Sequence, residues 1–405
     1  MRRALLYLCM VILYAGLYAQ VIKSSLSGNI LSLVSGTTKI TLESDLKLPP
    51  DITFFFADIK YTGHQFKICE FGEMYLEGAW HHLMVNGKKE LVRAPYWDLF
   101  WHYLALFNKP IWYVGKQRAS LFKELGPVGG KTFATMQEFL TYYSGQSGSK
   151  YEKIDDYQGI LILYNQMDYK QREQFLRTHP EILVVNAHTK KFTGKHNLFD
   201  LFNKHKELHD LIPQWKVYQK EYTPELATRI AHEISADFYI IKPMRGVSSK
   251  GVLMVEKKDL DSTLKSILLD KEKIKKTGHM NLLYWKTDAH ENFFVQAYAP
   301  SKEITIKDKK YDPTMHVVFF LAHDQGVMSM NVVAGHWKIP PKALNESGEL
   351  TEKHITQPLL DNSYLESLVD PYELSKNLKQ ITKLMENILP FMYVKMLEDW
   401  CKSTR

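Results

Sequence analysis

Cysteine is nearly absent from the chain: Cys9, Cys69 and Cys401 are the only three in 405 residues. That excludes a disulfide framework and a Cys-based metal site, which need several thiols at short spacing. Core packing is the expected role of Cys69. The 16 histidines include no HExxH, and His81 and His82 are adjacent rather than one helical turn apart, so a zinc enzyme has no support. Internal repeats, low-complexity tracts and long basic runs are missing too. The 52 Lys+Arg against 45 Asp+Glu leave a net +7 spread along the chain, which favours anionic ligands without implying nucleic acid. Beyond the N-terminus no apolar run reaches the length of a membrane span.

A P-loop is also lacking, despite GPVGGKT at Gly126 to Thr132. The pattern requires glycine six positions before the lysine, where Leu125 stands. A P-loop directly follows a strand, whereas here a helical pattern, KQRASLFKEL, intervenes. The stretch reads as a glycine turn.

What is present begins with residues 1–20, MRRALLYLCMVILYAGLYAQ: two arginines, an apolar stretch and small residues at Ala15, Gly16 and Ala19. This is the pattern of a secretory signal peptide, so export is expected; the alternative is an uncleaved membrane anchor. The whole chain is 45% hydrophobic and 13% aromatic, the composition of a folded protein.

Residues 51–72 read as a β-hairpin, ITFFFADI and QFKICEF around Thr62 and Gly63. A helical pattern, WDLFWHYLALF, precedes three short apolar runs, PIWYVG, GILILYN and EILVVNA, with helical stretches TMQEFLTYY and KQREQFLRT beside them. Continuous apolar runs alternating with helices predict a small parallel α/β layer. Residues 217–340 hold further strand runs of antiparallel type. The tail, YELSKNLKQITKLMENILPFMYVKMLEDW, is helical, with Pro390 expected to end or kink it.

The stretch KPMRGVSSKGV carries the chemistry. Lys242 at a strand end is a point charge suited to phosphate oxygens, and a Gly/Ser loop can bring backbone N–H groups and hydroxyls onto a polyphosphate. Downstream, NFFVQAYAPSKEITI offers backbone groups from Gln296 through Ala297 to Tyr298 for an adenine edge, and Glu303, seven residues after Gln296, for ribose hydroxyls. Each feature also has a plain structural reading: a hairpin loop, a strand-end glutamine, a surface charge.

Together these stretches resemble the nucleotide-binding half of the ATP-grasp superfamily, especially D-alanine:D-alanine ligases and related carboxylate-amine ligases. The resemblance covers roughly residues 180–345. It implies that Lys242 contacts ATP phosphates, that Arg245 to Gly251 form a mobile loop (Arg245, Gly246, Ser248, Ser249, Lys250 and Gly251 at the phosphates), and that Glu303 holds the ribose. Such enzymes bind magnesium through carboxylates on strands after the hinge, and no such strand follows residue 345 here. Asp58 and Glu70, on the two strands of the early hairpin, are the candidate Mg2+ ligands, since that ion takes one or two carboxylates plus phosphate oxygens.

Carboxylates before the ATP lysine resemble the circularly permuted, glutathionylspermidine synthetase-like arrangement. The expected Glu-x-Asn is here Glu70-Phe71-Gly72, so the third ligand is missing unless Glu73 or water substitutes. Asp312 in KYDPTMHV resembles part of the tubulin tyrosine ligase-like pattern, with Met315 where an arginine is usual. Asn331, His336 and Lys338 follow a strand on the presumed γ-phosphate side, where Lys338 would stabilise charge on a transferring phosphoryl group.

The expected fold class is therefore mixed α+β and α/β: an ATP-grasp fold with a permuted metal-binding hairpin plus a small parallel α/β domain. The expected segments are 1–20 (signal or anchor), 21–90 (hairpin segment of the ATP-grasp core), 91–215 (α/β domain) and 216–405 (nucleotide-binding region with C-terminal helices). The implied activity is an ATP- and Mg2+-dependent ligase joining a small-molecule or peptide carboxylate to an amine through an acyl-phosphate. A binding or regulatory protein with reduced turnover, and a kinase on the same fold, remain alternatives. No nucleic-acid partner is expected, and a membrane only if residues 1–20 stay attached. Export sits awkwardly with ATP, which is scarce outside cells.

Overall fold

The computed structural model describes residues 38–73, 80–85, 88–93, 96–115, 130–144, 153–163, 167–188, 195–244, 249–269, 280–356 and 371–403. The expected leader at 1–20, the helical pattern KQRASLFKEL, Gly126 to Gly129, and the loop residues Arg245, Gly246 and Ser248 lie outside them. Among the described residues no helix is long and apolar enough to cross a membrane.

In chain order the first part holds β1 (Thr38–Thr41), β2 (Asp51–Tyr61), β3 (Phe66–Glu73), β4 (Trp80–Val85), β5 (Lys88–Arg93) and α1 (Tyr96–Ala105). A second part follows with β6 (Ile111–Val114), β7 (Lys131–Phe133), α2 (Met136–Tyr143), β8 (Gly159–Leu163), α3 (Tyr169–Thr178), β9 (Ile182–Val184) and α4 (Lys195–Lys204). The third comprises β10 (Trp215–Gln219), α5 (Leu226–Glu233), β11 (Phe238–Pro243), β12 (Leu253–Glu256), α6 (Leu260–Leu268), α7 (Met280–Thr287) and β13 (Asn292–Ala297). The chain closes with β14 (Ile304–Ile306), β15 (Lys309–Tyr311), β16 (Thr314–Asp324), β17 (Val327–Lys338), α8 (Leu350–His354) and α9 (Pro371–Ser403).

The expected parallel layer is present, in the order β7-β6-β8-β9. Strands β6, β8 and β9 are buried along their length because helices cover the sheet, which is why they read as continuous apolar runs. Helix α3 starts at a capping box in which Asp168 accepts from the Gln171 amide at 2.8 Å and Gln171 accepts from the Asp168 amide at 3.0 Å. Strand β7 was not anticipated. Lys131 and Thr132, which would open a helix in a P-loop, instead pair in parallel with Trp112 and Tyr113.

Residues 217–340 do not form one sheet. Strands β10-β13-β11-β12 make an antiparallel sheet backed by α5, α6 and α7, with Ile230, Leu264 and Trp285 in its core. Strands β16 and β17 join the early hairpin in a second antiparallel sheet, β1-β17-β16-β2-β3. Strand alternation explains how β2 serves two cores. Phe55, Ala57, Ile59 and Tyr61 face the core shared with α9, while Ile52 and Phe54 face the core shared with α1 and the parallel layer.

Helix α9 continues through Pro390 instead of stopping there. A proline removes one intrahelical hydrogen bond, and the apolar stripe Leu374, Leu378, Ile381, Met385, Leu389, Met392, which is fully buried, carries the helix past it.

Candidate functional site

The two antiparallel sheets face each other across a cleft. Asp58, Lys60, Cys69 and Glu70 line it from the β2–β3 hairpin; Ile240, Lys242, Ser249, Val252, Gln296 and Tyr298 line it from the four-stranded sheet. The structure thus brings together the early carboxylates and the late lysine. The enclosed space is ≈ 70 Å³, against about 300–1,000 Å³ for typical small-molecule pockets.

Backbone register aims the hairpin side. Asp58 pairs with Glu70, but the next pair is Ile59 with Ile68, so Cys69 is an extra residue in β3. Such a bulge re-aims a side chain, and Cys69 lines the cleft instead of serving the core role expected of it. Burial raises its thiol pKa, with Lys242 and Lys60 acting the other way. No signal in the sequence marks the bulge.

Asp58 is fully engaged. Its Oδ1 accepts from His316 Nδ1 at 2.6 Å and from Lys338 Nζ at 2.9 Å, and its Oδ2 accepts from Lys338 Nζ at 2.8 Å. Burial alone would raise the Asp58 carboxyl pKa, but Lys338 and His316 outweigh it and hold it far below the ordinary range. Burial and then Lys338 lower the His316 pKa, with Asp58 acting the other way. Gly72 pairs with Phe56, and a Cβ at Gly72 would lie 2.5 Å from the Phe56 ring. That ring sits 4.7 Å from the His316 ring and 5.6 Å from Lys338 Nζ. The missing third ligand is therefore a packing requirement: glycine leaves the room that Phe56 fills. Glu73 is buried near Arg172, at 3.9 Å, and is not a cleft-lining residue.

These contacts do not fit the expected magnesium site. Mg2+ needs oxygens at about 2.0–2.1 Å in an octahedron, and both Asp58 oxygens already hold cationic or N–H partners. Among the described residues no group of three His, Cys, Asp or Glu side chains is arranged to hold an ion.

Across the cleft, Lys242 is buried and donates to Gln296 Oε1 at 2.9 Å. Burial lowers its pKa, partly offset by Cys69, Glu70 and Asp58. The expected adenine edge is altered in one respect: the Ala297 amide donates to Gln214 O at 2.7 Å and the Tyr298 amide to Phe238 O at 2.9 Å. Both N–H groups are spent on backbone carbonyls of the protein. Glu303 does not reach the cleft. It is half exposed and pairs with Lys310 at 3.0 Å.

Ser249 (φ +57°) and Gly251 (φ +76°) form the turn into β12. Gly251 is demanded twice over, by its left-handed backbone and by Pro243 and Tyr284, each 2.9 Å from any Cβ there. Its carbonyl accepts from Trp285 Nε1 at 2.7 Å, which makes it a packing residue, while Lys250 is exposed.

The sequence singles out Asp312 but not the hub built around it beside the cleft. Asp312, buried, accepts from Lys60 Nζ at 2.8 Å, from Tyr298 Oη at 2.5 Å and from the Ser301 amide at 2.9 Å, and its Oδ2 lies 2.9 Å from His354 Nδ1. Burial pushes the Asp312 pKa up, but Lys60, His354 and Tyr298 bring it below the ordinary range. The hub ties β2 to the end of β13, so Lys60 clamps the sheets together. Met315 faces the opposite core, and Asn331 is buried in register with Phe320, away from the cleft. His336 packs its ring 4.8 Å from that of His316.

No family model and no curated protein matches the chain. Among solved structures, the D-alanine-D-alanine ligase from Coxiella burnetii is similar at 8% identity and a TM-score of 0.27, over 69% of this chain and 98% of that one. The D-alanine-D-alanine ligase from Helicobacter pylori is similar at 9% and 0.27, over 68% and 98%. D-cycloserine synthetase DcsG is similar at 11% and 0.25, over 66% and 98%. Likeness at these scores carries no argument about this chain.

Proposed function

We propose that the cleft binds ATP in the ATP-grasp manner, with a permuted hairpin, and that the chain uses ATP to join a carboxylate to an amine. The observation that supports this reading is the shared cleft: Lys242 and Ser249 on one side, Asp58 and Glu70 on the other. In the reaction a substrate carboxylate oxygen attacks the γ-phosphorus, ADP leaves, and an acyl-phosphate forms. The amine then attacks the acyl carbon, an amide forms, and inorganic phosphate and a proton depart.

The residues named act by charge and position. Gln296 holds the Lys242 ammonium where a polyphosphate oxygen would meet it in a dehydrated setting, and Lys338, in register with the cleft-lining Thr314, reaches the cleft wall through its contact with Asp58. Since the donor set does not fit magnesium, no step is routed through it.

A second reading, nucleotide binding with little turnover, is favoured by the pairing of Asp58 with Lys338 and His316. Phosphate release from ATP, measured with mixed carboxylates and with and without an amine, separates them. Amine-dependent release supports the ligase, and transfer of phosphate to an acceptor without release supports a kinase. Retained binding with no turnover supports the second reading. Lys242→Ala should reduce nucleotide affinity by about 100-fold or more; unchanged affinity would remove the cleft from the proposal.

A further inference from the structure

Asp58 is one of the two cleft carboxylates expected to hold a divalent ion, yet its carboxylate is committed on both oxygens. Lys338 Nζ bridges Oδ1 and Oδ2 at 2.9 and 2.8 Å, the direction from which a bidentate cation approaches, and His316 Nδ1 closes on Oδ1 at 2.6 Å. A carboxylate offers about four lone-pair positions, and three contacts from two nitrogens take three of them.

The arrangement is built from behind. Gly72 has no side chain, so the Phe56 ring lies across it, with any Cβ there only 2.5 Å away. The ring then packs 4.7 Å from the His316 ring and 5.6 Å from the Lys338 ammonium. The glycine that removes a metal ligand is thus the residue that seats the aromatic floor under the lysine. A cation over an aromatic face is stabilised by the ring quadrupole. Side-chain exposure of Lys338 is 28% and of Asp58 12%, so the pair is held out of bulk solvent, with Asp58 lining the cleft and Lys338 behind it.

We infer that Lys338 is the built-in counter-cation of this cleft, standing in place of a divalent metal, so that a nucleoside triphosphate binds here without magnesium. The inference rests on the proposed nucleotide site and adds the identity of its cation. Replacing a metal by an ammonium has a chemical consequence: Lys338 supplies one positive charge at fixed position but cannot bridge two phosphate oxygens by coordination. Binding is retained, while charge neutralisation of a transferring phosphoryl group is weaker.

The test titrates ATP into the full chain by calorimetry, once with excess EDTA and once with excess MgCl2. The expected result is an affinity that changes by less than about threefold between the two. Binding that weakens by about tenfold or more in EDTA overturns the inference and leaves the nucleotide site standing. Absence of binding in both conditions overturns the nucleotide site and the inference together.

A second arm uses Mn2+ alone, followed by its electron paramagnetic resonance signal. Wild type should show no site that Asp58→Asn removes, whereas Lys338→Met should gain one, at least about tenfold tighter than wild type, between Asp58 and its register partner Glu70. Lys338→Arg keeps the charge and should gain none. A wild-type Mn2+ site lost in Asp58→Asn overturns the inference. Should Lys338→Met fail to fold, the EDTA comparison on wild type still decides.

Discussion

Strand β2 carries two aspartates seven residues apart, each hydrogen-bonded to a histidine Nδ1: Asp51 to His188 at 2.8 Å and Asp58 to His316 at 2.6 Å. Alternation sends them to opposite faces. Asp51 is sealed at 0% exposure among Thr53, Tyr393 and His188, whose ring meets Trp400 edge-on at 4.2 Å. It joins β2, the segment after β9, and α9. Asp58 opens on the cleft and takes a lysine as well. The same pair of residue types is cement in one place and a cleft-lining charge in the other, and burial with the third partner decides which.

Removing the sealed member should have the largest effect. Asp51→Asn removes the charge and leaves a single acceptor oxygen where His188 uses one and Thr53 and Tyr393 use the other, and it should lower unfolding free energy by about 3–5 kcal/mol in urea melts, with nucleotide affinity of the folded protein unchanged. An equal loss in Asp58→Asn would break the distinction. The acid limb sharpens it. Burial alone would raise the Asp51 pKa, but His188, Thr53 and Tyr393 bring it below the ordinary carboxylate value. A depressed folded pKa contributes stability that is complete above the unfolded value and is lost as pH falls through the folded one. Urea midpoints followed from neutral into acid should fall more steeply for wild type than for Asp51→Asn.

Gly72→Ala tests the support behind Asp58. The new methyl meets the Phe56 ring, and overpacking of this kind costs about 1–3 kcal/mol. Thermal melts should show it, together with a shift in the His316 imidazole NMR resonance as Phe56 moves.

A smaller effect belongs to Lys242, whose pKa is lowered by burial. A polyphosphate beside it favours the charged form, so binding at alkaline pH should take up a fraction of a proton. Calorimetry in two buffers of different ionisation enthalpy measures this, and Lys242→Met should abolish it. The smallest effect is expected for Glu303→Gln, an exposed ion pair of about 0–1 kcal/mol. A tenfold loss of nucleotide affinity in that variant would return Glu303 to the ribose.

Much of the fold is legible locally. The hairpin, the parallel apolar runs and the strands at Lys242 and Gln296 are each announced by periodicity and by turn residues within a few positions. The division of residues 217–340 between two sheets is not, because strand period carries no information about the partner. The site is legible in the same proportion: Lys242, Asp58 and Glu70 stand out by type and position, whereas the bulge that exposes Cys69 and the hub at Asp312 depend on register and on residues from four elements. Glu303 misleads because spacing along a chain does not state which way the chain turns after the hinge.

From composition and pattern alone came the mixed α and β character, the absence of thiol-based sites, the early hairpin and the lysine that faces its carboxylates. Tertiary structure alone decided that Asp58 is taken by Lys338, 280 residues away, and that Gly72 is room for a ring rather than a lost ligand. The reason is physical: a side chain's period is set by its own backbone, but the charge that neutralises it arrives on another strand, through pairings that the long-range core selects.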